Sequence, residues 1–565
     1  MVREVTRTAY ITAYCAHHVR GDELNGACTP LSEVWIAGEP VTGRTIDFYD
    51  QHWAFLSQQV HVQTKGRPTD LLPADLLDSK GNIVVPKTFD EAMKLPNAKA
   101  WKVAFDTEVN NILDRGVLGP FITDEQLAKE KLITHKRIPM KMLFDVKLNP
   151  DNSFDKLKCR LVVLGHPGYL RRGEHFWNTY SASPAMSTPR MMQAICVQMG
   201  YKRRCYDLVA AYLWATCRAE ERLAIDLPPG MGKKDKSGRQ MCRILEKTCY
   251  GCPYSDRRFC ELRDEYILDT FSKDGYTVFQ SQYNPCLFII RRPADGAHCI
   301  LSTFTDDIDS IGSHDDALDY IADKFDERFA IKMVNADFMV GVQRVTAEDG
   351  KTVTLSQPGF IDNLVDSFRD KLTGRNVNTP FPPGLHLQRS GNPMAKEDGK
   401  AIYDRGLYSV IGSLLWTMRN CHPETAIGVN YLCSVMSEPT EEAWAAAMHM
   451  IKWLRDNKDL GLRFTRQEKT PTMECYYDAS ANPDRIDHRM RGGFVITMNG
   501  TAIDWGACKL PRGHQHFACR VPGSLLGHTG DNLSSSHLGG HGIWTLGRGS
   551  DFDVRRQRRV HVARP

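Results

Sequence analysis

Apolar and polar positions along this chain follow two rhythms. At 141–148 the apolar residues Met142, Phe144, Val146 and Leu148 take every second place among mostly polar neighbours, the period of a half-buried strand. A cluster of turn residues follows at 149–153. The return run then puts Lys156, Lys158 and Arg160 on one face and Leu157, Cys159 and Leu161 on the other. A second hairpin is predicted from two short apolar runs, 299–304 and 308–312, with an acidic pair at its tip. Helical spacing marks 315–329 and 440–457, and helices are also expected at 257–271, 357–368 and 403–418. Within 440–457 Ala443, Ala447, Ile451 and Leu454 share one side. Three strands are expected in 471–510, so the pattern predicts a mixed α+β chain.

The tip of the second hairpin is Phe304-Thr305-Asp306-Asp307. Two carboxylates that close repel unless a cation neutralises them. Divalent ions paired about 3.5–4 Å apart are a phosphoryl-transfer device of polymerases and nucleases. The same pair is also what a solvated loop tip looks like. Upstream, Asp207 is a lone acid in the apolar run 205–213, where burial is costly unless the acid is paired or metal-bound. It also has the position of a strand-end residue capping a following helix. Tyr212 is placed to stand beside such a site as a flat wall. The three cations of 156–160 suit a triphosphate or a nucleic-acid backbone; an edge strand using lysine against aggregation has the same pattern.

These elements, in this order, resemble the reverse transcriptase of copia-type long-terminal-repeat retrotransposons over roughly residues 87–510. Residues 101–116 resemble the family's opening helix and 158–165 its "KARLVA-G" strand. Residues 180–184 with Thr188, Pro189 and Arg190 resemble "TFSPV…R". Residues 207–213 resemble "DVKTAFL", 227–231 "QPPGF", and Tyr250-Gly251 through Arg257 "LYGLKQAPR". Residues 284–288 resemble "DPCLF", 304–312 "YVDDIIITG", 338–345 "FLGIEV", and 408–415 "YRSIIGSLLYL". The resemblance implies a right-hand polymerase with fingers and palm at 87–345 and a thumb or connection at 346–470. It implies RNA-directed DNA synthesis on an RNA template and DNA primer, with deoxynucleoside triphosphates as substrates and an RNA–DNA hybrid as product. Asp207, Asp306 and Asp307 match the catalytic acids that hold two Mg²⁺ ions, with Mn²⁺ as a substitute. Lys158 and Arg160 match finger residues on the incoming phosphates. Arg190 and Tyr254 fall at substrate-binding positions, and Tyr212 matches the gate against a ribose 2′-hydroxyl. The stretch near Gly341 matches a primer grip.

The chain departs from these motifs in places. Tyr254 stands where the family has Gln, after Cys252 and Pro253. Thr305 replaces Val, Asp309 adds an acid to an apolar strand, and His422-Pro423-Glu424 replaces "RPD". Residues 475–479, 491–496 and 503–505 resemble the family's RNase H, an α/β domain here incomplete at 471–510, with Asp478 as the remnant of its first carboxylate. The later acids of that site have no match, so RNase H activity is expected to be absent. The departures keep a second reading open: a catalytically inactive element remnant that at most binds nucleic acid.

Composition changes the picture only at the ends. The 511–565 tail has no lysine but is rich in arginine, histidine and glycine, without amphipathic period, and reads as a frameshifted, disordered segment or a basic arm. Residues 1–86 read as a poorly structured linker, with Cys15, His17, His18 and Cys28 in no zinc-finger spacing. Net charge is only +4, so nucleic-acid binding must rest on local basic surfaces. The 17 cysteines show no disulfide framework, and neither a signal peptide nor an apolar run of membrane-spanning length is seen. An intracellular protein is expected, cytoplasmic in a virus-like particle or nuclear, with no membrane partner. The chain reads as a fragment of a polyprotein.

Overall fold

The computed structural model describes residues 72–148, 153–389, 396–468, 471–479 and 489–509, less 80, 82 and 375, together with the backbone of four short strands, Trp35–Ile36, Glu39–Pro40, Gly542–Leu546 and Phe552–Arg555. Cys15, His17, His18, Cys28 and the turn at 149–152 lie outside the described residues. The described chain divides into two units, one spanning Pro68–Ala336 and the other holding the strands Trp35–Ile36 and Glu39–Pro40 and resuming at Asp337.

In the first unit the long helices are α1 (Ala98–Asp114), α2 (Ser187–Met199), α3 (Ser255–Lys273) and α4 (Asp315–Phe329). Strands β1 (Leu118–Ile122), β2 (Ile138–Leu148) and β3 (Phe154–Val163) are followed by β4 (Lys202–Leu208), β5 (Ala224–Asp226) and β6 (Cys242–Leu245). Then come β7 (Thr277–Gln280), β8 (Leu287–Arg291), β9 (His298–Phe304), β10 (Asp307–Gly312) and β11 (Ile331–Val334).

Two sheets result. One has the order β1-β6-β5-β2-β3, with β2 and β5 parallel; the other has the order β11-β4-β10-β9-β8-β7 and is antiparallel throughout. In the first, Met142, Phe144, Cys159 and Leu161 turn inward against Trp101 and Ile112 of α1. The Trp101 and Phe144 rings meet edge-on, 5.5 Å between centroids. The second sheet is covered on both faces. Tyr206, Leu208 and Ile308 pack on Phe259 and Phe271 of α3 and Phe325 and Phe329 of α4. On the other face Met192 of α2 packs on Ile311 and Leu287. One end of that face carries aspartates where a core residue would otherwise stand.

The second unit contains a sheet of β12 (Phe338–Met339), β13 (Val342–Thr346), β14 (Thr352–Ser356) and, after the helices, β15 (Leu462–Thr465). Its helices are α5 (Pro358–Ser367), α6 (Lys396–Asp404), α7 (Leu407–Asn420), α8 (Ala426–Val435) and α9 (Glu441–Asp456). The single helix expected at 403–418 is broken because Gly406 turns left-handed, at φ 95°, between α6 and α7. Thr440 caps α9, accepting the Ala443 N–H. Gly341 closes the β12–β13 turn in this unit. His422 and Glu424 pair at 2.7 Å, so the exchange of "RPD" keeps a basic–acidic couple.

Strands β16 (Met473–Ala479), β17 (Arg491–Met498) and β18 (Thr501–Lys509) occupy the 471–510 region. They fall in the same unit as the helices, fixed in part by Trp505, whose buried indole N–H donates to the Met418 carbonyl at 3.0 Å. Two short strands are described within the tail, where the sequence pattern predicts none. β19 (Gly542–Leu546) pairs with β16, and β20 (Phe552–Arg555) pairs with β19. Short strands can form by backbone pairing without an amphipathic period. Among the described residues no helix is long and apolar enough to cross a membrane.

Candidate active site

The register of β4 on β10 brings two of the singled-out acids together. Asp207 lies directly opposite Asp307, and Cys205 opposite Asp309. Side chains alternate along a strand, so Asp207, Asp307, Asp309 and Cys205 share one face while Tyr206, Ile308 and Ser310 face the other way. Asp306 sits in the two-residue loop joining β9 to β10, where Phe304 pairs with Asp307. Its carbonyl accepts the Leu208 N–H at 2.8 Å, which anchors the loop to the end of β4. Asp207, Asp306 and Asp307 therefore meet, by backbone, at one end of the sheet. Among the described residues no group of three or more His, Cys, Asp or Glu side chains is set to hold a metal ion. The backbone has converged; the side chains do not form a closed ligand cage.

Charge around this end is shared between the sheets. Burial raises the Asp207 carboxyl above the usual aspartate range, and Lys158, Lys147, Lys332 and Lys156 pull it back down. Lys332 lies opposite Asp207 on β11, while Lys158 comes from β3. Burial lowers Lys158 below the ordinary lysine value, and Arg160, Lys147 and Lys156 lower it further, with Asp207 opposing. The register partner of Lys156 is Lys147, whose ammonium is 3.2 Å from Asp155. The Arg160 guanidinium stands 5.8 Å from the centre of the Tyr250 ring, and Tyr250 meets Tyr212 edge-on at 5.7 Å. Lys158, Arg160, Tyr212 and the three aspartates thus gather on one side of the unit.

Gly251 lets that gathering happen. Its φ is +88°, and a Cβ there would lie 2.1 Å from the Val163 carbonyl oxygen. The close approach allows the Val163 N–H to reach the Tyr250 carbonyl at 2.8 Å, which locks β3 to the segment bearing Tyr250.

The loop carrying Asp306 is clamped by α3. Thr305 adopts φ 51°, a strained conformation for a β-branched residue. Arg263, buried on α3, donates to the Thr305 carbonyl at 2.8 Å. Two turns earlier on the same helix Asp256 accepts the Thr305 hydroxyl at 3.0 Å and the Tyr212 hydroxyl at 3.3 Å. Asp256 was not legible as a site residue from its own surroundings. Its signal is that it stands where the quoted motif has proline. Glu108 was also missed. It lies on the apolar stripe Trp101, Phe105, Glu108, Ile112 of α1, is 7% exposed, and accepts the Leu161 N–H at 2.9 Å. Burial raises its pKa, with Arg160 and Lys158 among the charges that oppose. It is a buried carboxylate beneath the basic strand.

The remaining singled-out residues do not join the cluster in this way. Tyr254 is 2% exposed, packed in the core beneath the β2–β3 hairpin, and its hydroxyl donates to the Glu221 carbonyl at 2.5 Å. The side chain at that position is turned into the protein, because α3 begins at the next residue and draws the chain inward. Arg190 is buried on α2. Asp309, expected to disturb an apolar strand, is 1% exposed and has its own counter-ion. One Arg203 nitrogen reaches its two oxygens at 2.9 and 2.7 Å, and the other donates to Gln193 of α2 at 3.1 Å. Asp478 lies on β16 opposite Gly493, in the second unit.

Residues 129–382 match the family described as reverse transcriptase (RNA-dependent DNA polymerase). The chain is 23% identical over 422 residues to the retrovirus-related Pol polyprotein from transposon TNT 1-94 of Nicotiana tabacum, covering 74% of this chain and 30% of that protein. It is 25% identical over 427 residues to the Pol polyprotein from transposon RE2 of Arabidopsis thaliana, covering 75% of this chain and 27% of that one. A shorter stretch of 101 residues is 28% identical to the secreted RxLR effector protein 161 of Plasmopara viticola, covering 18% of this chain and 70% of the effector. The chain spans less than a third of the length of the Pol relatives. The motifs, the mixed fold and these likenesses agree: the chain carries the reverse transcriptase domain of a copia-type retrotransposon polyprotein.

Proposed function

We propose that the first unit is the fingers and palm of an RNA-directed DNA polymerase, and that Asp207, Asp306 and Asp307 are its catalytic acids. The observation that carries this is the pairing of Asp207 with Asp307 beside the anchored Asp306 loop. The donors are carboxylates, the chemistry that Mg²⁺, or Mn²⁺ in its place, takes. Asp207 and Asp307 are register partners with Asp306 on the adjoining loop, and burial disfavours the bare charge on Asp207. A bound metal pair would supply activation of the primer 3′-hydroxyl and neutralisation of the triphosphate charge. The protein's own groups do the rest. Lys158 and Arg160 bind and orient the incoming phosphates, as a compact charge and a planar fork respectively. Tyr212, steadied by Tyr250, occupies the space a ribose 2′-hydroxyl would need. The RNA template and DNA primer would lie along the same side. The second unit would supply the thumb or connection, with 471–510 a partial RNase H-like element. Among the described residues Asp478 is the one acid assigned to that second chemistry, and RNase H activity is expected to be absent.

The test is extension of a DNA primer on an RNA template with Mg²⁺, comparing the protein with its Asp306→Asn variant. Incorporation by the first and loss of at least about a hundredfold in the second supports the assignment. Equal background incorporation by both removes it. A second reading, an inactive remnant that binds nucleic acid, is favoured by Tyr254, which fills the family's glutamine position with a buried ring. That reading predicts template binding with no extension.

A further inference from the structure

We propose that Asp256 is a positioning residue that sets the sugar specificity of this site by holding Tyr212; the inference rests on the polymerase reading above. One carboxylate oxygen of Asp256 accepts two hydroxyls, from Thr305 at 3.0 Å and from Tyr212 at 3.3 Å. The first belongs to the loop that carries Asp306, and the second to the ring beside the nucleotide site. Asp256 is itself fixed in the first turn of α3, where the helix N-terminus favours a negative charge. Arg263, two turns along, holds the carbonyl of the same Thr305. The Tyr212 ring is therefore tethered at its hydroxyl by Asp256 and flanked edge-on by Tyr250.

The quoted motifs show that this arrangement belongs to this chain. The "LYGLKQAPR" motif has proline at position 256, and "YVDDIIITG" has valine at position 305. Neither side chain makes the bond seen here. "DVKTAFL" likewise has phenylalanine at position 212, so three departures from the motifs meet at one carboxylate oxygen and act as one exchange rather than independent drifts. The consequence is chemical. A phenol tethered to a carboxylate cannot swing away from an incoming sugar, so a ribonucleoside triphosphate meets a fixed obstacle and a deoxyribonucleoside triphosphate does not. Without the acceptor the ring gains freedom and the penalty on ribose falls.

The experiment measures kcat/KM for a deoxyribonucleoside triphosphate and its ribonucleoside counterpart in primer extension by the full chain, with melting temperature as a folding control. In Asp256→Ala the deoxy-to-ribo ratio is expected to fall about tenfold, the size of one hydrogen bond to a charged group partly lost. Asp256→Asn keeps an oxygen acceptor and is expected to recover most of the ratio. Tyr212→Phe keeps the ring but loses the tether, so it should lower the ratio similarly, and the double variant no further. If Asp256→Ala destabilises the fold, Asp256→Asn against Tyr212→Phe carries the comparison. Active protein with an unchanged ratio, or additive losses in the double variant, overturns the inference alone. A protein that extends no primer overturns the polymerase reading and this inference with it.

Discussion

The buried pair Arg203–Asp309 gives the sharpest prediction about the fold that supports the site. Asp309 is 1% exposed and lies two residues from Asp307 on the same strand face. Arg203 satisfies both of its oxygens, and the Cys205 thiol lies 3.4 Å from one of them. Arg203→Met removes the charge, two charge-assisted hydrogen bonds and the bond to Gln193 while keeping an apolar stem of similar reach. A buried ion robbed of its partner costs about 3–5 kcal/mol. At about 2–4 °C per kcal/mol for a unit of this size, the first unit should melt about 6–20 °C lower. Adding Asp309→Leu removes the stranded charge and should restore most of the loss, since apolar replacement of a whole buried pair is often neutral. The deficit of the single variant should also depend on pH. A stranded carboxyl titrates higher in the folded state than in the unfolded one, so the folded form is favoured at low pH and loses ground as pH rises through that folded value. The deficit is therefore smallest near pH 4 and largest at neutral pH. The assay is differential scanning calorimetry of both variants at pH 4 and 7.5. A single variant melting within about 2 °C of the parent at pH 7.5, or a double variant no better than the single, would refute the reasoning.

Three further outcomes follow from the site. Gly251→Ala forces a Cβ against the Val163 carbonyl at a left-handed φ; it should destabilise the first unit by about 2–4 kcal/mol, read by urea unfolding, and an unchanged midpoint would count against the β3 lock. Lys158→Ala should raise the KM for deoxynucleoside triphosphate about tenfold with a smaller change in kcat, whereas loss of kcat alone would place Lys158 elsewhere in the reaction. Asp207→Asn should melt higher than the parent at pH 8 without metal, with the gain shrinking toward pH 4: a carboxyl raised by burial favours the folded state at low pH and disfavours it above its folded value. A parent and variant that melt alike at pH 8 would contradict the assignment of burial as the dominant influence.

Much of the fold was written in local pattern. The strand alternation at 141–148 and the amphipathic run at 315–329 needed no partner to be read, and the helix expected at 257–271 is α3 with two residues added at each end. Site residues that depend on register were only half legible. Asp207 stands out as a lone acid in an apolar run, and Asp306 and Asp307 as an acidic pair between two apolar runs. Asp309 stood out as an added acid in a strand the motif keeps apolar, yet it is a structural ion whose partner lies on another strand, and only the β4–β10 register joins them. Tyr254 was assigned by its place in a motif, while its direction is set by the turn into α3, which no spacing rule carries. Asp256 was hidden because its meaning lies in three distant substitutions, at 212, 256 and 305, that make sense together. Glu108 was open to notice: an acid on an otherwise apolar helical stripe must find a donor, and it found the Leu161 N–H.

The central claim is that Asp207, Asp306 and Asp307 act as one cation site. Binding of Mn²⁺ in the presence of a deoxynucleoside triphosphate, followed by electron paramagnetic resonance, tests it without requiring turnover. The parent protein should take up Mn²⁺ beyond what the nucleotide alone binds. Asp207→Asn and Asp306→Asn should each weaken that uptake at least about tenfold, although they come from different elements. Equal Mn²⁺ uptake by the parent and both variants would contradict it.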